Sequence, residues 1–354
     1  MGQDMILTNN RVNEKPFLTI GIANYNYGKY LRRGFEAIMR QGFRDIELIY
    51  ADNGSTDDSQ SIIKEMMQEA DILVSLVAGD NIGICGNRER ILKHARGKYL
   101  MLCDADDWMT DNCLEVLCEK AIETDADQII GEYQKVDDSG KVLYQHAFPK
   151  GAVKWSNWGY HASLYKMQVI RENNIQFDLS WPADDACFSA LFHKYSGEAV
   201  FVDEIVDNWY KHNDSVTSMY RGKEKKQEKA YNCSERFTSM TSYMFDIWES
   251  VSEIDREQLE YVWSILYYYN ILYRRPATHF KDDWQDYKEM HQTMLRYFPQ
   301  YLNNKALNTL DGKGYFRKNV TVVSYFLAFL ERVHLIRLAL WGYWLLTHVY
   351  KIGY

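Results

Sequence analysis

Three carboxylates stand within four residues at Asp104-Ala105-Asp106-Asp107. Acids packed that closely repel one another unless a proton or a cation intervenes. Their hard oxygen donors suit Mg²⁺ or Mn²⁺. The preceding run, Lys98-Tyr99-Leu100-Met101-Leu102-Cys103, reads as a buried strand. Acids at the end of such a strand stand at the mouth of a sheet, where open α/β folds bind their ligands. An acidic helix cap, with Asp111 following, gives a similar pattern. Two further places carry chemistry. Asp184-Asp185, after Trp181-Pro182-Ala183, opens a helical stretch that runs to about Tyr195. Asp184 reads equally well as the cap of that helix, while Asp185 would lie one residue inside it and face the same sheet edge if the chain packs back. His212 enters a polar loop with Asn213-Asp214-Ser215-Val216-Thr217, and a lone histidine is most often structural or solvated.

Placing these groups together requires elements, and the first half of the chain alternates them. Strand runs at Phe17–Ala23, Ile46–Ala51 and Ile72–Val77 precede the Asp104 strand, with helical patterns at Tyr30–Arg40, about Asp58–Glu69 and about Gly86–Arg96. That alternation implies βαβ units and a mainly parallel sheet, with the strand C-termini on one edge. The edge would collect Asn24-Tyr25-Asn26, Asp52-Asn53-Gly54-Ser55, the loop around Asp80-Asn81, and the Asp104 cluster. Four polar loops converging there favour a site over a simple cap. Asp52 ends its strand as a carboxylate able to accept from a base or ribose, and Gly54 permits a tight turn. Ser55 to Asp58 supply caps, and Arg88 on the next helix could reach a pyrophosphate. Neither a GxGxxG after the first strand nor a GxxxxGK[ST] is present, against a dinucleotide-dependent dehydrogenase and a P-loop NTPase.

The chain of 354 residues is 46% hydrophobic and 25% charged, the composition of a globular protein with a sizeable core. A net charge of −8 argues against nucleic acid as partner. Six cysteines without a CxxC pair read as free thiols in a reducing compartment. Residues 1–15 are polar and read as a tail lacking a signal-peptide core, which places the protein in the cytoplasm.

The ordered set of motifs resembles the inverting GT-A glycosyltransferases of family 2. The resemblance rests on Ala23-Asn24-Tyr25-Asn26, Asp52 to Asp57, Asn81-Ile82-Gly83 with Arg88, Gly97-Lys98-Tyr99 through Asp107-Trp108, Asp184-Asp185, and His212 to Thr217. It covers roughly residues 16–220 and implies a Rossmann-like, mainly parallel sheet flanked by helices. It implies a nucleotide-diphosphate sugar as donor, UDP-sugar by default, and a glycan, glycolipid or cell-surface polymer as acceptor. Asp106 and His212 would hold a divalent cation, Mn²⁺ or Mg²⁺, and Asp185 would be the catalytic base. Donor contacts would come from Asn24, Asn26, Asp52, Asn81, Arg88, Asp104 and Ala105, with Asp52 at the base and Asp104 at the ribose. Asp184, Asp107, Ser215 and Thr217 would support the site. The sequence departs from the family at Asn53, where an aspartate is usual, and at Asp184, where a glutamate is usual. A sugar nucleotidyltransferase and a silent sugar-binding relative are the alternatives. The first lacks its Gly-rich loop at Ala23 to Gly28, and the second gives no reason to keep Asp106, Asp185 and His212 together.

The last third differs in character. A charged break at 219–230 would link the glycosyltransferase domain, 16–218, to a helical region, 231–354, rich in aromatic residues. Apolar runs at Val322–Leu330 and Leu338–Leu346 are interrupted by Glu331, Arg332 and Arg337, so neither approaches the ~20 residues of a spanning helix. Their basic and aromatic flanks suit helices lying in a membrane interface, on the inner face of the cell membrane, or a helical pair packed on its own domain or on a second subunit.

Overall fold

The computed structural model describes residues 4–177, 184–212, 233–273 and 279–348. Met5–Thr8 forms β1 and Leu18–Asn24 forms β2; α1 (Gly28–Met39), β3 (Ile46–Asp52), α2 (Ser59–Glu69), β4 (Leu73–Ala78), α3 (Gly83–His94) and β5 (Tyr99–Asp104) follow. Then come β6 (Trp108–Met109), α4 (Cys113–Thr124), β7 (Gln128–Val136), β8 (Val142–His146), β9 (Ser163–Lys166), α5 (Met167–Glu172), α6 (Asp184–Tyr195) and β10 (Val200–Tyr210). All ten strands join one mixed sheet in the order β1-β4-β3-β2-β5-β9-β7-β10-β6, with β8 against β7. Strands β4, β3, β2 and β5 run parallel, as do β7 and β10. The remaining pairings are antiparallel.

The central strands are continuous apolar runs because both faces of the sheet are covered. One face buries Ile20, Leu48 and Met101 against Phe35 of α1, Met66 of α2 and Leu117 of α4. The other buries Ile49, Leu100 and Leu102 against Ile91 of α3 and Phe188 of α6. Register then gathers the strand ends: Asn24 lies opposite Asp52, Asp52 opposite Ala78, and Ala23 opposite Asp104.

Four features differ from the sequence reading. The polar stretch read as a tail contributes β1, an edge strand of four exposed residues paired with β4; it is too short to show alternation. The helix expected from about Gly86 begins at Gly83, whose φ of +79° only glycine adopts freely. The two strands expected near residue 200 are one, β10, with register irregularities around Ile205. Finally, the Asp104 run caps no helix: β6 follows it at once and pairs with β10, and α4 starts only at Cys113.

The chain divides into two compact units, residues 1–148 with 157–215 and residues 149–156 with 216–354. The second contains α7 (Cys233–Ser250), α8 (Glu253–Tyr273), α9 (Phe280–Tyr297), α10 (Lys318–Arg332) and α11 (Ile336–His348). Its core is aromatic, with Trp263, Tyr261, Tyr267, Tyr268 and Tyr301 fully buried. Segment 149–156 belongs to it through Trp155, whose indole N–H donates to Asp255 Oδ1 (2.6 Å), and Ser156, whose hydroxyl donates to Tyr315 O (2.9 Å). Among the described residues no helix is long and apolar enough to cross a membrane. The charged stretch 219–230 lies outside the described residues.

Candidate active site at the carboxyl edge of the sheet

The loop after β3 is built around Asp52, which is fully buried. Its Oδ1 accepts from the Asn24 amide (2.7 Å) and the Ser55 hydroxyl (2.5 Å), and its Oδ2 from the Ser55 N–H (3.1 Å) and the Gln60 amide (2.8 Å). Asn26, in the left-handed region at φ 58°, accepts from the Thr56 N–H at 2.7 Å. Asn53 joins this loop to the next: its amide donates to Asn81 Oδ1 (3.0 Å) and Gly83 O (3.2 Å), and its carbonyl oxygen accepts from Ile82 N–H (2.9 Å) and Arg90 (3.1 Å). An aspartate could not make the first two of these bonds, since an ionised carboxylate only accepts. The family departure at Asn53 thus has a local use. Asn24, Asn26, Asp52, Asn53 and Asn81 form one hydrogen-bonded edge.

Beside it lies the acidic turn, with Ala105 buried in it. Arg88 of α3, also buried, donates to Asp104 Oδ1 (3.2 Å) and to the Tyr160 hydroxyl, which itself donates to the same carboxylate oxygen (2.7 Å). Burial works against charge on both partners. Tyr160, Asp104 and Asp185 nevertheless raise the Arg88 pKa, while Arg88, His161 and Tyr160 hold Asp104 below its ordinary value. Asp107 points elsewhere: its Oδ1 accepts from the Tyr210 N–H (2.8 Å) and its Oδ2 lies 3.7 Å from His161 Nδ1, with Asp207 Oδ2 at 3.6 Å from that nitrogen. Burial, then the neighbouring Asp207 charge, pushes the Asp107 carboxyl well up. Burial alone would lower His161, but Asp207 and the other carboxylates push it up to about 10. Donor atoms of Asp104, Asp107 and His161 lie within 4.8 Å of one another, a set that could hold a metal ion.

A second pair of donors meets on the other side of the turn. His212 Nε2 and Asp106 Oδ2 are 2.7 Å apart, and His212 Nδ1 lies 3.0 Å from the Tyr30 hydroxyl of α1. Tyr210 stacks on the imidazole at 4.8 Å. Arg33, one turn along α1, sits between the rings of Trp108 (3.6 Å) and Tyr210 (4.1 Å) and donates to Asp106 O (2.7 Å). Burial, then the Asp104 charge, raises the Asp106 carboxyl against the opposing His212 contact. One carboxylate oxygen and one imidazole nitrogen, oriented and nearly dry, are donors that Mn²⁺ and Mg²⁺ accept.

Asp184 and Asp185 open α6. Asp185 Oδ1 accepts from the Ala186 N–H (2.8 Å), and its charge acts on Arg88 and Tyr160, the two groups that hold Asp104. The side chain of Asp184, and residues Ser215 and Thr217, lie outside the described residues. Tyr30, Arg33, Tyr160, His161 and Asp207 were not singled out in the sequence. Tyr30 and Arg33 carried the available signal, a polar pair at i and i+3 on the first helix after a site loop. Tyr160 and His161 arrive on the irregular approach to a four-residue strand, which has none.

A mixed, mainly parallel sheet with acidic and amide loops on its carboxyl edge defines an α/β protein of the GT-A class. Residues 19–201 match the family model described as glycosyl transferase family 2, and the chain belongs to that family. Glycosyltransferase GlyG of Streptococcus pneumoniae is 26% identical over 223 residues, spanning 58% of this chain and 73% of GlyG. GlyA of the same organism is 29% identical over 156 residues, 44% of this chain but only 22% of GlyA. Among solved structures, S. aureus TarS 1–349 in complex with UDP-GlcNAc superposes with a TM-score of 0.65 at 13% identity, over 90% of this chain and 92% of TarS 1–349. The mannosyltransferase PcManGT of Pyrobaculum calidifontis, in complex with GDP-Man and Mn²⁺, gives 0.53 at 12% identity, over 90% and 88%. These likenesses establish the fold.

Proposed function

We propose that the protein transfers a sugar from a nucleotide-diphosphate sugar, a UDP-sugar foremost, to a hydroxyl of a glycan, glycolipid or cell-surface polymer, with inversion at the anomeric carbon. The observation that carries this reading is the Asp106–His212 pair, locked by Tyr30 and Arg33 beside Asp104 and Asp185 in a family 2 fold. The UDP-GlcNAc complex of TarS supports the donor class, and the Mn²⁺ complex of PcManGT supports the cation.

Asp106 and His212 would hold a divalent cation, Mn²⁺ or Mg²⁺, whose charge offsets that gathering on the departing diphosphate. The Asp104–Asp107–His161 set serves this less well, because an imidazolium between Asp107 and Asp207 already supplies the compensating charge there. Tyr30 would accept the His212 Nδ1 proton and leave the Nε2 lone pair facing Asp106. Asp104, held by Arg88 and Tyr160, would meet the ribose. Asp52 would meet the base, exchanging its Gln60 bond for the ligand, with Asn24, Asn26 and Asn81 shaping the loops around it. Asp185 would take the proton of the acceptor hydroxyl as its oxygen attacks C1 opposite the diphosphate. Asp107 fixes β10 through Tyr210. Residues 16–218 would carry the transfer and 231–354 a membrane or subunit contact, with the protein at the cytoplasmic side.

Asp185→Asn tests the base. With UDP-sugar and Mn²⁺, nucleotide release should fall on the order of 10²–10⁴-fold, while nucleotide affinity stays as in the parent. A variant that keeps most of its turnover removes Asp185 from that role.

A further inference from the structure

Helices α10 and α11 bury polar groups and expose apolar ones. The inner face of α10 carries Thr321, Ser324 and Glu331, each at most 5% exposed. Glu331 accepts from the hydroxyls of Tyr267 (2.8 Å), Tyr268 (2.6 Å), Tyr287 (2.5 Å) and Tyr301 (2.7 Å). Its outer face carries Val323, Phe326 and Phe329, spaced three apart and therefore on one side of the helix. Val333 and Leu335 continue the apolar surface through the turn, and Leu338 and Trp341 through the first half of α11; all seven are 42–65% exposed. A helix pair facing water ordinarily has the opposite polarity. An apolar surface of this extent marks a contact.

Charge identifies the partner. Residues 317–348 hold four basic side chains, Arg317, Lys318, Arg332 and Arg337, in a chain of net charge −8. The segment's one acid, Glu331, is turned inward onto the tyrosines. A second copy of this chain would bring the same basic residues against one another, whereas an anionic surface complements them. We propose that this face docks on an anionic lipid surface, with Phe326, Phe329, Leu338 and Trp341 entering the headgroup region and Lys318 and Arg337 meeting lipid phosphates. The proposal stands apart from the reaction assigned to the other unit.

Flotation of the full chain with vesicles of phosphatidylcholine, alone or mixed with phosphatidylglycerol, tests it. The wild type should float with the mixed vesicles and not with phosphatidylcholine alone. Lys318→Glu with Arg337→Glu should weaken that binding by about tenfold or more, and added salt should weaken it further. Phe326→Ser with Leu338→Ser should abolish it while leaving the circular-dichroism melting curve of the protein unchanged. Failure of the wild type to float, equal flotation with both vesicles, or flotation untouched by both double variants overturns the proposal. So does a wild-type dimer in light scattering that Phe326→Ser with Leu338→Ser dissociates, since the face then belongs to a second copy.

Discussion

At the scale of the residue, the acidic run divides into three jobs. Asp104 pairs with Arg88 and Tyr160, Asp106 with His212, and Asp107 with the Tyr210 N–H and His161. The sequence pointed to the run and to His212 because those residues stand in recognisable spacing. It said nothing of Tyr30, Arg33 or His161, because an orienting partner needs only reach and a hydrogen-bonding atom, which many residues offer. Tyr30 gives the sharpest test among them. Tyr30→Phe keeps its ring beside His212 and removes only the hydroxyl. Mn²⁺ affinity, measured by electron paramagnetic resonance titration, should fall about 10–100-fold with little change in melting temperature. An unchanged affinity would show that the hydroxyl does not orient the imidazole.

At the scale of the element, strand and helix alternation was plain in the first hundred residues, since buried parallel strands are continuous apolar runs. The irregular pieces were not. β6 has two residues and β9 four, and each owes its place to a neighbour, β10 for the first and β5 and β7 for the second. Yet β6 decides that Asp104 to Asp107 form a turn at the sheet edge. Gly54 shows how tightly the loops are set. Its φ is +73°, and a Cβ there would lie 3.2 Å from Asn81 N and Gly79 O. Gly54→Ala should cost ~1–2 kcal/mol from the left-handed backbone and also displace the Asn81 loop, raising the donor KM. Gly140→Ala bears similar backbone strain at φ +77° with nothing near its Cβ. It should lower the melting temperature and leave the donor KM alone. Equal KM values for the two variants would separate the Gly54 turn from nucleotide binding.

At the scale of the molecule, the division into two units was legible as a change from alternating elements to aromatic helices. The crossing of 149–156 into the second unit was not, because its partners Asp255 and Tyr315 lie more than a hundred residues away in sequence or nearly so. The second unit is keyed by Glu331. Burial would raise its pKa, but the His291 contact at 2.9 Å and the tyrosine hydroxyls hold it below the ordinary value. A carboxylate with a lower pKa folded than unfolded stabilises fully above the unfolded value of about 4.3. That contribution is lost as pH falls through the folded pKa. Glu331→Gln should therefore flatten the acid limb of thermal stability against pH and cost about 3–5 kcal/mol near neutrality. An acid limb identical to the parent's would move the linkage elsewhere. The central claim, a nucleotide sugar held at the sheet edge with a cation on Asp106 and His212, is met most directly by calorimetric titration of UDP-GlcNAc with and without Mn²⁺. The expected result is Mn²⁺-dependent binding to the wild type that is retained in Asp185→Asn and lost in Asp106→Ala and in His212→Ala. Binding that is indifferent to Mn²⁺, or unchanged in both of the latter variants, would contradict it.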